Sequence, residues 1–450
     1  MSDSDGLAKR EHWGSRVGFI MAAAGSAIGL GNIWRFPYLV GKDGGAAFVV
    51  IYLIITLFIG LPVMIAEFAI GRAAQKAPVL AFKALNVSPF WSLIGWMGTI
   101  AGGFLTLSFY NVVGGWTIKY IISSLTGLME IADAGNSGDF FSSFIGQSYQ
   151  VIVFQALFLA ITMGVVIGGV SKGIERACKV LMPTLFVIMI ILIIRSVTLP
   201  GAEAGLKFYL SPDFSKLTGE TFLDALGQSF FSLSLGLGIM LTYGSYIGKE
   251  EQLPSSSAWT AGLDTVIALL AGLAIFPAVF AMGFEPGSGA GLSFITLPAV
   301  FAKMPAGMIF SFLFFLLLFF AAVTSSMSLL EVAAAFAIEK FHMTRKEAVY
   351  GVGFIILVLG IPSATSLAGG PKIYGKDFFD AAEYVCNNVL LPLGSFLASV
   401  FVGWFWLPQA IKEITNDGKL KFGWLNTWIW CVRFVAPLAI AYIFYAGLKW

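Results

Sequence analysis

Charged residues are scarce in this chain of 450 residues. Asp, Glu, Lys and Arg make up 12% of it, whereas a soluble domain carries about a quarter, and 58% of the residues are hydrophobic. Apolar runs of roughly 18 or more residues recur, and about 20 such residues cross ~30 Å of hydrocarbon. The composition therefore excludes an ordinary soluble domain and predicts an all-α polytopic membrane protein.

Histidine, cysteine and net charge are also sparse. The two histidines (His12 and His342) and three cysteines (Cys178, Cys386 and Cys431) have no metal-ligand spacing, and we expect the cysteines to be buried without a disulfide. The net charge of +2 is too small to indicate a nucleic-acid partner. Without an HExxH motif, a P-loop or paired acids within the spans, we expect neither an enzyme nor an organic cofactor.

Polar breaks divide the apolar sequence into eleven predicted membrane spans. They cover approximately residues 15–40, 44–71, 90–124, 150–169, 176–198, 221–247, 258–284, 306–338, 347–362, 381–409 and 423–448. No cleavage-site pattern follows the first apolar run, so we expect residues 1–14 to be a cytoplasmic tail. Lys and Arg concentrate in the connections that are cytoplasmic in this arrangement, such as Arg72, Lys76 and Lys172. The bias predicts a multi-pass cell-membrane protein with its N-terminus inside and its C-terminus on the extracellular side.

Two of the predicted spans carry the same interruption. GSAIGLGN (25–32) in the first span and FSLSLGLGIM (231–240) in the sixth share small residues and a closing GLG. Glycines in a span can also serve close helix packing. Finding them at the equivalent position of two five-span sets favours local unwinding, because corresponding broken helices in inverted repeats indicate a transporter's binding site. We expect a first repeat at 15–198, an extracellular loop at 199–220, a second repeat at 221–409, and a cytoplasmic loop with the last span at 410–450.

Four motifs resemble the neurotransmitter:sodium symporter family. They are REHWGSRVGFIMAAAGSAIGLGNIWRFPYLVGKDGGAAF (10–48), VSKGIERACKVLMPTL (170–185), GQSFFSLSLGLG (227–238) and FFAAVTSSMSLLE (319–331). The similarity extends over nearly the whole chain and is greatest to bacterial amino-acid transporters with eleven spans. It implies the LeuT fold, with broken first and sixth helices and a 5+5 inverted repeat.

The resemblance implies two Na⁺ sites built from oxygen ligands, as a hard cation requires. The first comprises the Ala27 carbonyl, Asn32, Ser232, Asp264 and the substrate's own carboxylate. The second comprises the carbonyls of Gly25, Ile28 and Ala321 and the hydroxyls of Thr324 and Ser325. Taken alone, hydroxyls such as those of Thr324 and Ser325 could bond back to their own helical turn.

The resemblance also places a substrate between the two broken helices. Tyr110 and the backbone N–H groups of Leu30 and Gly31 would bind its carboxylate. The amine and α-carbon would lie among Ser26, Ala27, Phe231, Ser232 and Ser234, and the side chain among Thr106, Leu237, Ser325 and Leu329. These residues carry no charge, and burying an unpaired charge would cost about several kcal/mol. We therefore expect a neutral hydrophobic L-amino acid, aliphatic or aromatic.

Three positions refine this expectation. Gly29 stands where monoamine-transporting relatives carry an aspartate, so a decarboxylated amine would have no counter-ion. Leu237 replaces a bulkier Phe of small-substrate relatives, which predicts room for side chains up to Trp. Asp264 stands where chloride-dependent relatives carry a neutral residue, so we expect chloride-independent transport. Of the other deep acids, Glu67 would brace the unwound segments, and Glu331 has no assigned role.

Gates and a hinge complete the interpretation by resemblance. Arg35 would lie just outside the substrate, with Phe231 as the lid, and would pair with Glu383 or with Asp380. An isolated Arg near the end of a span more often extends its side chain toward water. Arg10, Trp13 and Glu339 would form a cytoplasmic latch. Gly173 and Pro183 would allow the start of the fifth span to unwind and release Na⁺ inward. The alternatives to symport are an amino-acid sensor descended from a transporter and an ion-conducting channel.

Overall fold

Residues 10–285, 291–370, 372–373 and 375–448 are described here from a computed structural model of the chain. In these residues the structure is almost entirely helical, apart from a two-residue hairpin that pairs Lys372–Ile373 with Lys376–Asp377. The first nine residues of the expected tail and the last two residues of the chain lie outside this description.

Nine unbroken helices among the described residues are long and apolar enough to cross a membrane. They are Ala46–Ala74, Pro89–Leu125, Ser148–Val166, Val170–Val197, Leu253–Ala281, Gly307–Phe341, Arg345–Ser366, Phe378–Phe405 and Leu425–Gly447. Two further helices, Arg16–Ala27 and Gly31–Lys42, form one span that is bent by 51°.

The predicted sixth span is also two helices, Gly219–Ser232 and Ile239–Gly244, separated by six non-helical residues. Neither half is long enough to cross a membrane alone, since a crossing takes about 20 residues. We number the eleven segments as spans 1–11 in chain order. Their ends agree with the sequence-based prediction to within a few residues except in span 5, which begins six residues earlier, and in span 7, which begins five earlier.

Short helices lie between or at the ends of the spans, and the sequence analysis predicted none of them. They are Pro78–Ala84, Leu128–Asp133, Ser137–Ile145, Ala202–Leu210, Leu297–Ala302 and Leu407–Ile414. Each buries a few apolar side chains against the ends of the spans. Phe141 and Phe144 do so in one of them, and Tyr209 donates a hydrogen bond to the Leu269 carbonyl in another, at 3.0 Å. These helices are too short to be stable alone and depend on that packing.

Burial distinguishes central from peripheral spans. In the most apolar window of span 3, 67% of the residues are buried within the protein, compared with 28% in span 11. Span 3 therefore lies in the interior, in contact with span 8, whereas span 11 presents most of its surface to lipid. The middle of the molecule is built from spans 1, 3, 6 and 8, and polar residues concentrate there rather than on the lipid surface.

One buried ion pair joins spans 8 and 9 and the segment that follows span 6, near residues 10–15, at what we call the N-terminal face. Arg345, at the start of span 9, binds Glu331 of span 8 through both terminal nitrogens, at 2.7 and 3.0 Å. The Tyr246 hydroxyl, beyond span 6, donates to the same carboxylate at 2.6 Å. Glu331 is fully buried, so its charge depends on these partners. This pair gives Glu331 a structural role that its position in the sequence did not suggest.

Replacing Glu331 by Ala should lower the free energy of unfolding by about 3 kcal/mol or more, because it leaves the Arg345 charge partly buried without its main partner. Thermal unfolding of the purified protein in detergent measures the effect. The double variant Glu331→Ala/Arg345→Ala should recover part of the loss, since neither charge then remains. A double variant as unstable as the sum of the two single variants would contradict this account.

Candidate functional site

The break in span 1 is short and tightly enclosed. Helix geometry ends at Ala27, Ile28 is extended (φ −74°, ψ 94°), and helix resumes after Leu30 as a wide π-type turn over Gly31–Arg35. A Cβ atom on Gly29 would lie 2.4 Å from the Ser325 hydroxyl and 3.0 Å from that of Tyr110. Only glycine therefore fits between spans 3 and 8 at this point. The break is narrower than the GSAIGLGN segment (25–32), because Gly25 to Ala27 remain helical.

The break in span 6 is longer and has left-handed backbone. Gly236 and Gly238 have φ of 73° and 72°, a region that glycine adopts without steric cost, and Ser234 also has positive φ. The Gly236 N–H donates to the Glu67 carboxylate of span 2 at 2.9 Å. Glu67 thus contacts the unwound segment, which is the position that the brace hypothesis requires.

Asn32, Ser232 and Asp264 form a fully buried polar cluster beside both breaks. The Ser232 hydroxyl lies 2.9 Å from both Asp264 carboxylate oxygens, and the Asn32 amide donates to Asp264 at 2.7 Å. The Tyr52 hydroxyl of span 2, which the sequence analysis missed, lies 3.5 Å from Asp264 Oδ2. Ala27 lines the adjacent cavity.

The charge on Asp264 decides what this cluster can bind. Among the described residues no Lys or Arg is paired with Asp264, and its polar neighbours are neutral. A buried carboxylate requires a compensating cation or a proton. A hard monovalent cation suits the carboxylate oxygens of Asp264 and the hydroxyl oxygen of Ser232. The Asn32 amide oxygen, in contrast, accepts a hydrogen bond from the Gly29 N–H. In the described part of the chain no group of three or more His, Cys, Asp or Glu residues is placed to hold a softer metal.

A second group of oxygens lies where span 8 meets the end of the first half of span 1. The Thr324 hydroxyl is 3.5 Å from the Ile28 carbonyl and 3.0 Å from that of Ala321. It also lies 3.1 Å from the Phe320 carbonyl, so the bond to its own helical turn is made as well. A Cβ on Gly25 would come within 3.4 Å of the Thr324 side chain. Three of the five residues predicted for this site, Ile28, Ala321 and Thr324, are therefore joined by hydrogen bonds, and Gly25 lies against the Thr324 side chain.

Ser325, the fifth residue predicted for this site, points toward the central cavity instead. Its hydroxyl donates to the Ser26 carbonyl at 3.0 Å and lines the central cavity. Ser234 donates to the same carbonyl at 3.2 Å. Both serines therefore use their hydroxyl groups on span 1 backbone that the break has freed from helical bonding.

A small cavity lies between the two breaks, enclosed by spans 1, 3, 6 and 8. Eleven of the twelve residues predicted to bind substrate line it: Ser26, Ala27, Leu30, Gly31, Thr106, Tyr110, Phe231, Ser234, Leu237, Ser325 and Leu329. The twelfth, Ser232, does not, because its hydroxyl is bound to Asp264. The Leu30 N–H donates to the Tyr110 hydroxyl at 3.3 Å, so two of the groups predicted to meet a carboxylate already converge.

Several residues around the cavity were not found from the sequence. Ile239 lines it, together with Gly29, which the sequence analysis considered only as the position of an amine counter-ion. Gln228 donates to the Gly31 carbonyl at 2.8 Å, and the Cys386 thiol of span 10 lies 3.4 Å from the Thr106 hydroxyl. A glutamine inside an apolar span is a polar signal that could have been used. The contact of Cys386 with Thr106 joins residues 280 positions apart and has no local signature.

The cavity is covered by Phe231 on the side away from the N-terminal face. Beyond it lies a wider space of about 390 Å³, lined in part by Arg35, Asp380 and Glu383. The Arg35 guanidinium lies over the Phe231 ring at 5.3 Å, and among the described residues it forms no ion pair with either acid. Glu383 instead accepts a hydrogen bond from Asn387 at 3.3 Å. The three gate residues thus share one space without being joined.

The N-terminal face is closed, in contrast. Arg10 forms an ion pair with Glu339, and its guanidinium lies 4.5 Å from the centre of the Tyr246 ring. The Trp13 indole donates to the Tyr243 carbonyl at 3.1 Å and packs edge-on against the Tyr243 ring. Burial lowers the pKa of Arg10, and the neighbouring Tyr246 opposes that shift. All three predicted latch residues lie in this closed layer.

The predicted hinge lies at the start of span 5. Gly173 belongs to a wide π-type turn over Val170–Glu175, and a Cβ there would lie 2.3 Å from the Val165 carbonyl. Pro183 lies inside the following helix, Arg176–Val197. Proline removes a backbone hydrogen bond, so this part of span 5 is held by fewer of them than a regular helix.

Comparison with known proteins identifies the same family as the sequence motifs, over nearly the whole length of the chain. The model of the sodium:neurotransmitter symporter family matches residues 10–139 and 141–449. An uncharacterized sodium-dependent transporter, YhdH of Bacillus subtilis, is 42% identical over 439 residues, covering 97% of each chain. The sodium- and chloride-dependent GABA transporter ine of Drosophila melanogaster is 26% identical, over 94% of this chain and 50% of its own length.

A solved structure of similar architecture is also known. The crystal structure of MhsT in complex with L-phenylalanine has a TM-score of 0.89 and 45% sequence identity, covering 98% of this chain and 100% of that one. The all-α polytopic architecture with broken first and sixth helices is therefore the LeuT fold. The expectation of a transporter and not an enzyme is confirmed, and the chain belongs to the sodium:neurotransmitter symporter family.

Proposed function

We propose that this sodium-dependent symporter imports neutral hydrophobic L-amino acids, aliphatic and aromatic, with two Na⁺ ions as co-substrates. The observation that carries the proposal is one uncharged cavity lying between two helix breaks and beside the buried Asp264 carboxylate. A zwitterion brings its own carboxylate to such a cavity, and Na⁺ balances both negative groups.

The cavity offers separate groups for the two ends of an amino acid. The N–H groups of Leu30 and Gly31 lie at the start of the second half of span 1, where the helix dipole favours a carboxylate, and the Tyr110 hydroxyl lies beside them. The Ser26 carbonyl and the Ser234 hydroxyl suit an ammonium group. This arrangement orients the substrate with its carboxylate toward span 3.

The remaining lining supports a neutral apolar side chain. Thr106, Leu237, Ile239 and Leu329 carry no charge, and an unpaired charge among them would cost about several kcal/mol. The crystal structure of MhsT holds L-phenylalanine, which agrees with an apolar substrate. Because Gly29 has no space for a side chain, an acidic residue there, as amine transport would need, is not accommodated.

We further propose that transport is chloride-independent. The fixed Asp264 carboxylate supplies the negative charge that balances Na⁺, so no mobile anion is required. This distinguishes the chain from relatives such as the chloride-dependent transporter ine.

In alternating access, the face that is now closed would open while the opposite face closes. In our proposal the N-terminal face is cytoplasmic, and its latch of Arg10, Trp13 and Glu339 opens as the Arg35 region closes over Phe231 with Glu383 or Asp380. The Arg10–Glu339 pair is mostly buried, so opening this face would return both charges to water, and their solvation offsets the attraction that is lost. Unwinding at Gly173 and Pro183 would admit water to the group around Thr324 and release Na⁺ inward.

Reconstituted protein should accumulate labelled leucine in liposomes only when an inward Na⁺ gradient is present. Unlabelled Trp and Phe should compete strongly, and Lys and Glu should not, because the cavity offers their charges no partner. Choline in place of Na⁺ is the control. Uptake without Na⁺, or inhibition by Lys equal to that by Trp, would contradict the proposed substrate class. Binding without uptake would indicate a sensor, and Na⁺ current without accumulation a channel.

Asp264→Asn should weaken apparent Na⁺ affinity at least about tenfold, since a buried charge–cation contact is worth more than about 1.4 kcal/mol. The same variant should acquire stimulation by chloride, measured by replacing chloride with gluconate during uptake. The exposed Asp213→Asn is the matched control and should behave as the unmodified protein. Chloride dependence in the unmodified protein would reject the role given to Asp264.

Trp13→Ala should open the N-terminal face, because it removes both the ring packing on Tyr243 and the bond to the Tyr243 carbonyl. The buried thiol of Cys178, next to Gly25, should then react faster with a maleimide, which mass spectrometry detects. Trp259→Ala, at a tryptophan with 60% exposure on span 7, is the control. Equal labelling rates in both variants would argue against Trp13 as part of a latch.

A further inference from the structure

The unwound part of span 6 rests directly on the backbone of span 3. A Cβ atom on Gly102 would lie 2.2 Å from the Leu237 carbonyl oxygen and 3.1 Å from Leu237 Cβ. One turn earlier, a Cβ on Gly98 would lie 2.7 Å from the Gly238 nitrogen. Real Cβ atoms do not approach backbone this closely, so both positions must be glycine for span 6 to lie where it does.

The other sides of this segment are also filled. A Cβ on Gly236 would lie 2.4 Å from the Leu391 carbonyl of span 10 and 2.7 Å from the Ser395 hydroxyl. The Gly236 N–H is held by Glu67 of span 2. Since spans 2, 3 and 10 enclose the segment, the side left for Leu237 to move toward is the central cavity, which it lines.

We propose that Gly102, assisted by Gly98, sets the upper size limit of the substrate side chain by allowing Leu237 to recede into span 3. This inference rests on the proposed function and adds to it a positioning residue that does not itself line the cavity. A methyl group at position 102 displaces Leu237 toward the substrate. Large side chains then lose space, whereas small ones still fit.

The test compares Gly102→Ala with its neighbour Gly103→Ala. A Cβ on Gly103 meets Ala333 of span 8 at 2.9 Å and not span 6, so this control adds the same methyl group to the same stretch of span 3. Affinities for Trp and for Val are measured in saturating Na⁺ by binding to the purified protein. Thermal unfolding with Na⁺ alone reports whether each variant is folded.

In Gly102→Ala, the affinity for Trp should fall roughly tenfold or more relative to that for Val, the size of effect that one methylene has in an apolar pocket. Gly103→Ala should leave the Trp-to-Val ratio unchanged. Adding Leu237→Ala to Gly102→Ala should restore binding of Trp, because it returns the lost volume. Gly98→Ala should shift the ratio in the same direction by less, and it replaces Gly102→Ala if that variant does not fold.

An equal loss for both substrates in Gly102→Ala, or the same change of ratio in Gly103→Ala, would overturn the inference and leave only a structural role. An unchanged ratio in whichever of the Gly98 and Gly102 variants folds would also overturn it. Failure of the proposed function is separate, because the unmodified protein would then bind neither Trp nor Val in a Na⁺-dependent manner.

Discussion

Backbone N–H and C=O groups freed inside a membrane must find partners, since hydrocarbon supplies none. Several of the groups freed by the two breaks are met by side chains, two of them from other spans and one from span 1 itself. Glu67 accepts from Gly236, Tyr110 from Leu30, and the Asn32 side chain from Gly29 at 3.2 Å. The breaks therefore exist only within the assembled protein. Among these side chains, Asn32 and Tyr110 are also the groups proposed to hold Na⁺ and substrate, so binding exchanges partners that are already oriented.

Two buried acids differ in whether the protein itself compensates their negative charge, and this difference distinguishes a structural role from the proposed role in transport. Glu331 is bound by Arg345 and Tyr246, so its charge is compensated within the protein. Within the part of the chain that the structure describes, the partners of Asp264 are the neutral Asn32, Ser232 and Tyr52, so its charge depends on what the site receives. A compensated carboxylate stabilises the packing of spans, whereas an uncompensated one couples the fold to a cation.

The two faces of the central cavity are unequal, as one stage of the proposed alternating-access cycle would require. Arg10, Glu339 and Trp13 are joined at the N-terminal face, while Arg35 shares an open space with Glu383 and Asp380 without an ion pair. Both layers contain an arginine, a carboxylate and an aromatic ring, so in the proposed cycle contacts of the same kind would form on one face as they break on the other. Such an exchange is what alternating access requires.

Much of the fold could be predicted because the membrane imposes a local rule. About 20 apolar residues are needed for each crossing, and paired glycines in equivalent spans indicate where helices break. The positions of the spans and the approximate positions of both breaks follow from such patterns, whereas the family follows from the resemblance of four motifs. The candidate site residues were predicted by resemblance, and the structure brings most of them into two clusters and one cavity.

Other features depend on contacts between distant parts of the chain and carry no local signal. The sequence by itself determined the spans and the approximate positions of the breaks, through hydrophobic length and glycine. Only the tertiary structure decided that the first break is limited to residues 28–30 and that the Ser232 hydroxyl binds Asp264 and does not line the cavity. The same holds for the ion pair of Arg345 with Glu331 and for the contact of Gly102 with Leu237. The physical reason is that each of these depends on which surfaces pack together, and packing is set by the whole assembly of helices.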